Sequence, residues 1–173
     1  LHNLGLIAYF QGDYGRARSL FEESLALVRA QQDETSIAMA LGNLGLVAFA
    51  EEDYDRALSL QREALANRQM VNNKPWLARA IEHFALIAAA TREPRRAARL
   101  FGASAALRAQ FGGTQPPNDR EINQRYIAAA REQLGARGFD DAWKAGETMS
   151  LDEAIAYALG ERLPEPARDP LDE

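Results

Sequence analysis

Apolar residues recur at helical spacing along the chain. In the first ten residues they stand three or four positions apart, on one side of a helix, at Leu1, Leu4, Ile7 and Ala8. The Gly12-Asp13 step then ends this helix and caps a second one. The second apolar stripe consists of Tyr14, Ala17, Leu20, Phe21, Leu25 and Val28. This pattern predicts two amphipathic helices, each of which buries its apolar side only by packing against a neighbour.

The pattern of this helix pair recurs along the chain at a fixed interval. Laying residues 1–40 over residues 41–80 without gaps gives about 17 identities in 40, far more than chance. A third, fainter copy keeps Ala88, Arg96, Ala97 and Leu100 in register, and Pro94 replaces the tyrosine at the start of its second helix. The repeat predicts a stack of helix pairs, since neighbouring pairs bury the apolar faces that one pair leaves open.

The small and large residues of each unit resemble the tetratricopeptide repeat. In that family the first helix carries a Leu-Gly step and the second an Ala-x-x-x-Phe step. The three units match at Leu4-Gly5, Ala8, Ala17 and Phe21; at Leu44-Gly45, Ala48 and Ala57, with Gln61 replacing the aromatic; and at Phe84-Ala85, Ala88, Ala97 and Phe101. The resemblance implies an all-α, right-handed helical-repeat solenoid. Its units of about 40 residues exceed the usual 34 and are similar to those of kinesin light chains and large bacterial regulators.

The chain divides into three parts. Residues 1–112 hold three repeats (1–40, 41–80 and 81–112), and the GGTQPPND stretch that follows breaks the pattern. Residues 113–160 contain three amphipathic segments outside the repeat, the last opening with a Ser150/Glu153 capping box. We expect them to cap the open end of the solenoid. Residues 161–173 are Pro-rich and acidic, and predict a linker or tail.

A second resemblance covers the whole chain, and its most specific parts are two stretches after residue 99. The LFGASAALR stretch and the AWKAGETMSLDEAIAYAL ending resemble the C-terminal end of large bacterial signal-transduction ATPases. Those proteins join an ATPase module to a helical-repeat sensor, and many add a DNA-binding domain such as a LuxR-type helix-turn-helix. Because the first residue is Leu1 rather than Met, we expect a fragment of such a regulator. ATP would then bind an ATPase module outside this chain, and this chain itself would need no cofactor.

Composition narrows the function further. The net charge of −5 argues against direct nucleic-acid binding, and no apolar run reaches the roughly 20 residues of a membrane span. The chain has no Cys, which is compatible with the cytoplasm. His2 and His83 have no acidic partner at ligand spacing, and no phosphate-binding loop or nucleophile motif occurs. We therefore expect neither an enzyme nor a metal site.

Two surfaces are candidates for binding. In a tetratricopeptide solenoid the first helices line a concave groove, and the side chains off the packing stripe are Asn3, Leu6, Tyr9, Phe10, Met39, Asn43, Leu46, Phe49, Arg79, Glu82, His83 and Leu86. The repeated asparagines resemble the ladders that grip a peptide backbone; alternatively they satisfy groups between neighbouring helices. Leucines stand where chaperone adaptors would carry their carboxylate clamp, which disfavours that class. The second surface is a cluster of arginines, either a solvated face or a docking patch for an acidic partner: Arg92, Arg95, Arg96 and Arg99.

Two functional hypotheses follow. In the first, the chain is a non-enzymatic sensor domain that binds a protein, peptide or small effector in the groove and biases the ATPase module of its parent. In the second, it is a structural domain whose groove is filled by a second copy, as in a homodimer, or by its own C-terminal helices.

Overall fold

The computed structural model describes residues 1–70, 73–113, 115 and 117–161, and every regular element among them is a helix. The helices are α1 (His2–Phe10), α2 (Tyr14–Ala30), α3 (Glu34–Ala50), α4 (Tyr54–Met70), α5 (Lys74–Ala90), α6 (Pro94–Phe111), α7 (Pro117–Glu147) and α8 (Leu151–Leu159). From α1 to α7, consecutive helices pack against one another, and α8 packs against α5 and α6. The predicted all-α helical repeat is confirmed.

The helices start and stop on local signals in the sequence. Asp13, Asp33 and Asn73 each accept a hydrogen bond from the backbone N–H three residues later, which satisfies a donor that the helix leaves unpaired. The connecting turns also need a residue with positive φ. Gly12 supplies it at φ 78°, whereas Gln32 at φ 54° occupies the left-handed region despite its side chain. These turns hold successive helices antiparallel.

Small residues let the two helices of a unit approach closely. Ala17, Ala57 and Ala97 are fully buried, as the repeat predicts for the points of closest contact. In the first unit the ring of Phe21 fills the space beside Gly5, so a Cβ there would clash with it. In the second unit, Gln61 takes the place of the aromatic and donates from Nε2 to the carbonyl of Gly42 at 3.0 Å. The polar replacement is thus accommodated inside the same packing.

The repeat interval is visible in the helix starts. Helix α3 begins at Glu34 and α5 at Lys74, which are 40 residues apart. Residues 41 and 81, where the sequence alignment divides the units, lie inside α3 and α5. The helix pairs of the structure are α1–α2, α3–α4 and α5–α6. The divisions of the sequence repeat, at 1–40, 41–80 and 81–112, therefore do not coincide with the boundaries of these pairs.

The C-terminal helices cover the last helix pair. Helix α7 contains one non-helical residue, Gly135 (φ 70°, ψ 163°), which breaks it into two segments. Met149, Ala154, Ile155 and Ala158, at and within α8, share one apolar core with α5 and α6. Helix α8 thus lies against the last helix pair, and the division of the chain at residues 113–160 stays a prediction. The expected tail, apart from residue 161, lies outside the described residues.

Two glycines set the distance between α6 and the second segment of α7. A Cβ on Gly102 would meet the backbone of Trp143, and a Cβ on Gly146 would meet the backbone of Arg99 and Ala103. Backbone atoms cannot rotate out of the way as a flexible side chain can. The close contact between these two helices therefore depends on glycine at both positions.

Candidate functional site

The predicted groove residues fall on α1, α3 and α5, as expected, but they differ in exposure. Five of them, all in the middle and last units, are buried: Asn43, Leu46, Glu82, His83 and Leu86. Those partly buried are Leu6, Tyr9, Met39, Phe49 and Arg79. Asn3 and Phe10, in the first unit, are exposed. A freely open groove would leave the first set accessible, so another part of the molecule covers it.

Helix α7 is the element that covers this surface. The ring of Tyr126 lies 5.5 Å from the ring of Phe49, edge to face, and burial raises the pKa of the Tyr126 hydroxyl. Arg79 Nη2 lies 3.1 Å from Asp119 Oδ2. Ile122 and Asn123 face the concave side chains Leu46 and Leu86 across a narrow gap. The chain therefore fills the middle of its own groove with the first segment of α7.

The repeated asparagine position does not form a uniform ladder. The Asn43 amide lies 3.3 Å from Nδ1 of His2, in the preceding unit, while Asn3 is exposed. Burial, followed by the nearby Arg79 charge, lowers the pKa of His2, so its ring is neutral near pH 7 and its Nδ1 can accept from the amide. Asn43 thus satisfies a group of a neighbouring helix, one of the two roles considered for it.

A polar cleft lies beside the N-terminal end of α7. It has a volume of about 290 Å³, and its walls include Pro75, Trp76, Arg79, Glu82, Arg108, Gly113, Gln115 and Asp119. The Glu82 carboxylate pairs with Arg108 and accepts a hydrogen bond of 3.2 Å from Gln115. Burial lowers the pKa of the Arg108 guanidinium. Two acidic and two basic side chains therefore balance each other around a cleft with a tryptophan in its wall.

Several atoms at this cleft and at a neighbouring one have unused hydrogen-bonding capacity. The second cleft, of about 320 Å³, shares Glu82, Arg108 and Gln115 with the first and reaches Asn123. Within the described part of the chain, Nε of Arg79 and Oδ1 of Asn123 are buried without a hydrogen-bond partner. The Arg79–Asp119 contact is close in distance but not aligned as a hydrogen bond. Guanidinium donors and carboxylate or amide acceptors thus line both clefts.

Sequence reasoning identified Arg79 and Glu82 but missed the rest of this site. Arg108 lies on the second helix of its unit, and Gln115 and Asp119 follow the repeats, so the rule that first helices line the groove passes over them. The available signal was Arg108, the one charged residue within the mainly apolar FGASAALRAQF stretch.

Comparison with known proteins accords with this geometry. The family model described as tetratricopeptide repeat matches residues 1–69 and 36–110. The chain belongs to the tetratricopeptide-repeat family. Members of this family are protein-interaction or scaffold modules, built on a fold that is not catalytic and uses no cofactor. The matched residues cover the three helix pairs and end before α7, so the helix that fills the groove lies beyond the family pattern.

Three relatives match part of the chain. They are candidate HTH-type transcriptional regulators by name, one from Mycobacterium bovis and two from strains of Mycobacterium tuberculosis. Each is 45% identical over 73 residues, which is 40% of this chain and 8% of the regulator. The chain therefore corresponds to a small portion of the regulators that it matches.

The arginine cluster of the third tetratricopeptide unit divides into two halves. Arg96 donates to the carbonyl of Ala158 at 3.0 Å, and the Arg99 guanidinium lies 4.8 Å from the centre of the Tyr157 ring. A cation suits the C-terminal end of α8, where carbonyls lack helical partners. Arg92 and Arg95 are exposed. Half of the cluster thus holds the chain's own last helix, and a docking role remains a prediction for the exposed half.

No group of three or more His, Asp or Glu side chains able to hold a metal ion occurs among residues 1–70, 73–113, 115 and 117–161. None of the helices described is long and apolar enough to cross a bilayer.

Proposed function

We propose that this chain is the sensor region of a larger bacterial transcription regulator. It would bind a protein, peptide or small effector in the cytoplasm and bias an ATPase module and a DNA-binding domain elsewhere in the parent protein. The observation that carries the proposal is the 45% identity over 73 residues to HTH-type regulators, within a family of interaction modules. The ATPase part rests on the resemblance of the C-terminal stretches to signal-transduction ATPases.

The polar cleft is the proposed point of effector contact. It lies beside the N-terminal end of α7, and its walls carry both hydrogen-bond donors and acceptors. Its Arg79–Asp119 pair also joins α5 to the start of α7. A ligand that competes for either side chain would loosen α7 on the groove. Such a ligand shifts the domain only by the difference between its affinities for the two arrangements.

A second candidate function is a scaffold whose groove is permanently filled. The contact between Phe49 and Tyr126 supports it, because α7 then behaves as part of the core rather than as a movable element. Under this proposal the chain spaces other domains of the parent and binds nothing in the groove.

The two proposed functions predict different transcript levels in cells whose cleft residues have been replaced. We would replace Arg79 and Asp119 together by Ala in the chromosomal gene of the parent protein and sequence the transcripts. A matched control is Arg131→Ala with Asp140→Ala, which removes an exposed ion pair of 3.0 Å within α7. Protein abundance and melting temperature would be measured for both variants.

The sensor proposal expects the cleft variant to change the same transcripts as deletion of the parent gene, or to lock them on, while the control resembles the wild type. A cleft variant that is abundant, folded and transcriptionally silent would refute the cleft as a sensor and favour the scaffold. If deleting the whole gene leaves transcription unchanged, the role in transcription itself is wrong.

A further inference from the structure

The helix pair α1–α2 carries an apolar face that nothing in the structure covers. The large apolar side chains exposed among the described residues are Leu1, Leu4, Ile7, Phe10 and Leu27. Four of them belong to α1 or immediately precede it, and the fifth lies on α2. A contiguous apolar surface of this kind marks an interaction site rather than ordinary scatter.

The repeat itself shows what kind of structure fits this face. Leu4 is 53% exposed, but Leu44, the same position one unit later, is 4% exposed. Ile7 is likewise 53% exposed against 1% for Val47. Leu44 and Val47 are buried in a cluster with Phe21 and Leu25, which lie on the second helix of the preceding unit. The same positions in the third unit, Phe84 and Ile87, are also buried.

The charged residues around the face show the same difference between the first unit and the second. Across the interface between the first two units, Arg29 lies 2.6 Å from Glu63, and Arg56 lies 3.0 Å from Glu22. One repeat earlier, Glu23 stands at the position of Glu63, and Arg16 stands at the position of Arg56. Both are exposed, and neither has an ion-pair partner in the described part of the chain.

We propose that this face binds a further tetratricopeptide helix pair of the same protein, supplied by a segment that precedes Leu1. The second helix of that pair covers Leu4 and Ile7 as α2 covers Leu44 and Val47. It presents an apolar stripe flanked by an arginine opposite Glu23 and an acidic residue opposite Arg16. This inference does not depend on the proposed role in transcription.

A second copy of the chain does not supply the same complement. The faces of α2 and α4 that would fit are already packed against α3 and α5. The corresponding face of α6 is covered by α7 and α8. Head-to-tail stacking of two copies is therefore blocked at the C-terminal end, which favours a segment of the same protein as the occupant.

Cysteine labelling tests the proposal directly, because this chain contains no cysteine of its own. Ile7→Cys is introduced into the full-length protein that carries this sequence and also into the 173-residue chain. Glu132→Cys, at an exposed position of α7, is the matched control. Labelling by a water-soluble maleimide is followed over time by mass spectrometry of the peptide that carries each thiol.

We expect both thiols to react at similar rates in the 173-residue chain. In the full-length protein the Ile7→Cys thiol should react at least about tenfold more slowly than the control, because labelling then requires the interface to open. Leu4→Cys serves as a second probe if Ile7→Cys disturbs folding. Equal rates for the face and the control in the full-length protein would overturn the proposal. Protection that appears in the 173-residue chain only as its concentration rises would assign the face to a second copy instead.

Discussion

The two ends of the repeat array place similar helix pairs in opposite surroundings. At the C-terminal end, α7 and α8 cover the last pair, and Leu100, Phe101 and Leu107 are buried. At the other end, Leu4 and Ile7 of the first pair are about half exposed, although their repeat equivalents are buried. Burial of a given position is therefore decided by the neighbour that the unit receives, not by the sequence of the unit alone.

The difference also shows how a repeat array is ended. An array of repeats exposes one apolar face at each end, and adding another unit would only expose the same face on the new unit. The C-terminal end is closed by helices that do not follow the repeat, and one of them turns into the concave groove. The first segment of α7 fills the groove, whereas the end of the array is closed by α7 and α8 together.

The largest expected effect compares one position in two units. Leu44→Ala should lower the free energy of unfolding by about 2–5 kcal/mol, because it leaves a cavity beside Phe21 and Leu25. Leu4→Ala should change it by less than about 0.5 kcal/mol, since about half of that side chain is already exposed. Urea denaturation of both variants measures the difference. Similar losses of unfolding free energy in the Leu44→Ala and Leu4→Ala variants would show that the α1 face is covered in solution.

The next comparison concerns the contact between α6 and α7. Gly146→Ala should destabilise the protein by about 1–3 kcal/mol, because the added methyl meets the backbone of Arg99 and Ala103. Gly15→Ala, in α2, is the control with the opposite sign. Its methyl meets nothing, and alanine is the better helix former by up to about 1 kcal/mol. If Gly146→Ala also raises the denaturation midpoint, α7 does not pack on α6 as described.

A double-mutant cycle tests whether α7 fills the groove in solution. Phe49→Ala and Tyr126→Ala should show a coupling of about 0.5–1.5 kcal/mol, the range for an edge-to-face aromatic pair. Leu27→Ala, at an exposed position of α2, replaces Phe49→Ala in the control cycle and should add to Tyr126→Ala without coupling. Strict additivity in the first cycle would mean that the groove is open and would restore the open-groove hypothesis.

The smallest effect compares the two glutamates that occupy one repeat position. Glu63→Gln removes an exposed ion pair with Arg29 and should cost about 0.2–1 kcal/mol at low salt. Glu23→Gln should cost nothing measurable in this chain, since Glu23 has no ion-pair partner in the described part. The difference between the variants should shrink as salt is added. A cost for Glu23→Gln in the full-length protein alone would add to the case for a preceding helix pair.

The sequence by itself determined the helices and how they pair. Asp13 and Asp33 cap their helices through bonds to the backbone three residues away, and Ala17 and Ala57 mark the contact between partners in one unit. Each of these features depends on neighbouring residues or recurs every 40 residues, so the sequence shows the same signal in more than one unit. The fold class could be predicted for that reason.

Only the tertiary structure decided where α7 lies and which side chains form the polar cleft. The stripe of Ile122, Tyr126 and Ile127 shows that α7 buries one side, but an amphipathic pattern does not name the surface that receives it. Phe49 and Tyr126 belong to elements far apart in the chain, and their contact occurs once, with no second copy from which to infer it. Arg108 and Asp119 meet the groove only because α7 begins there, so their role follows from that single docking and not from any repeated pattern.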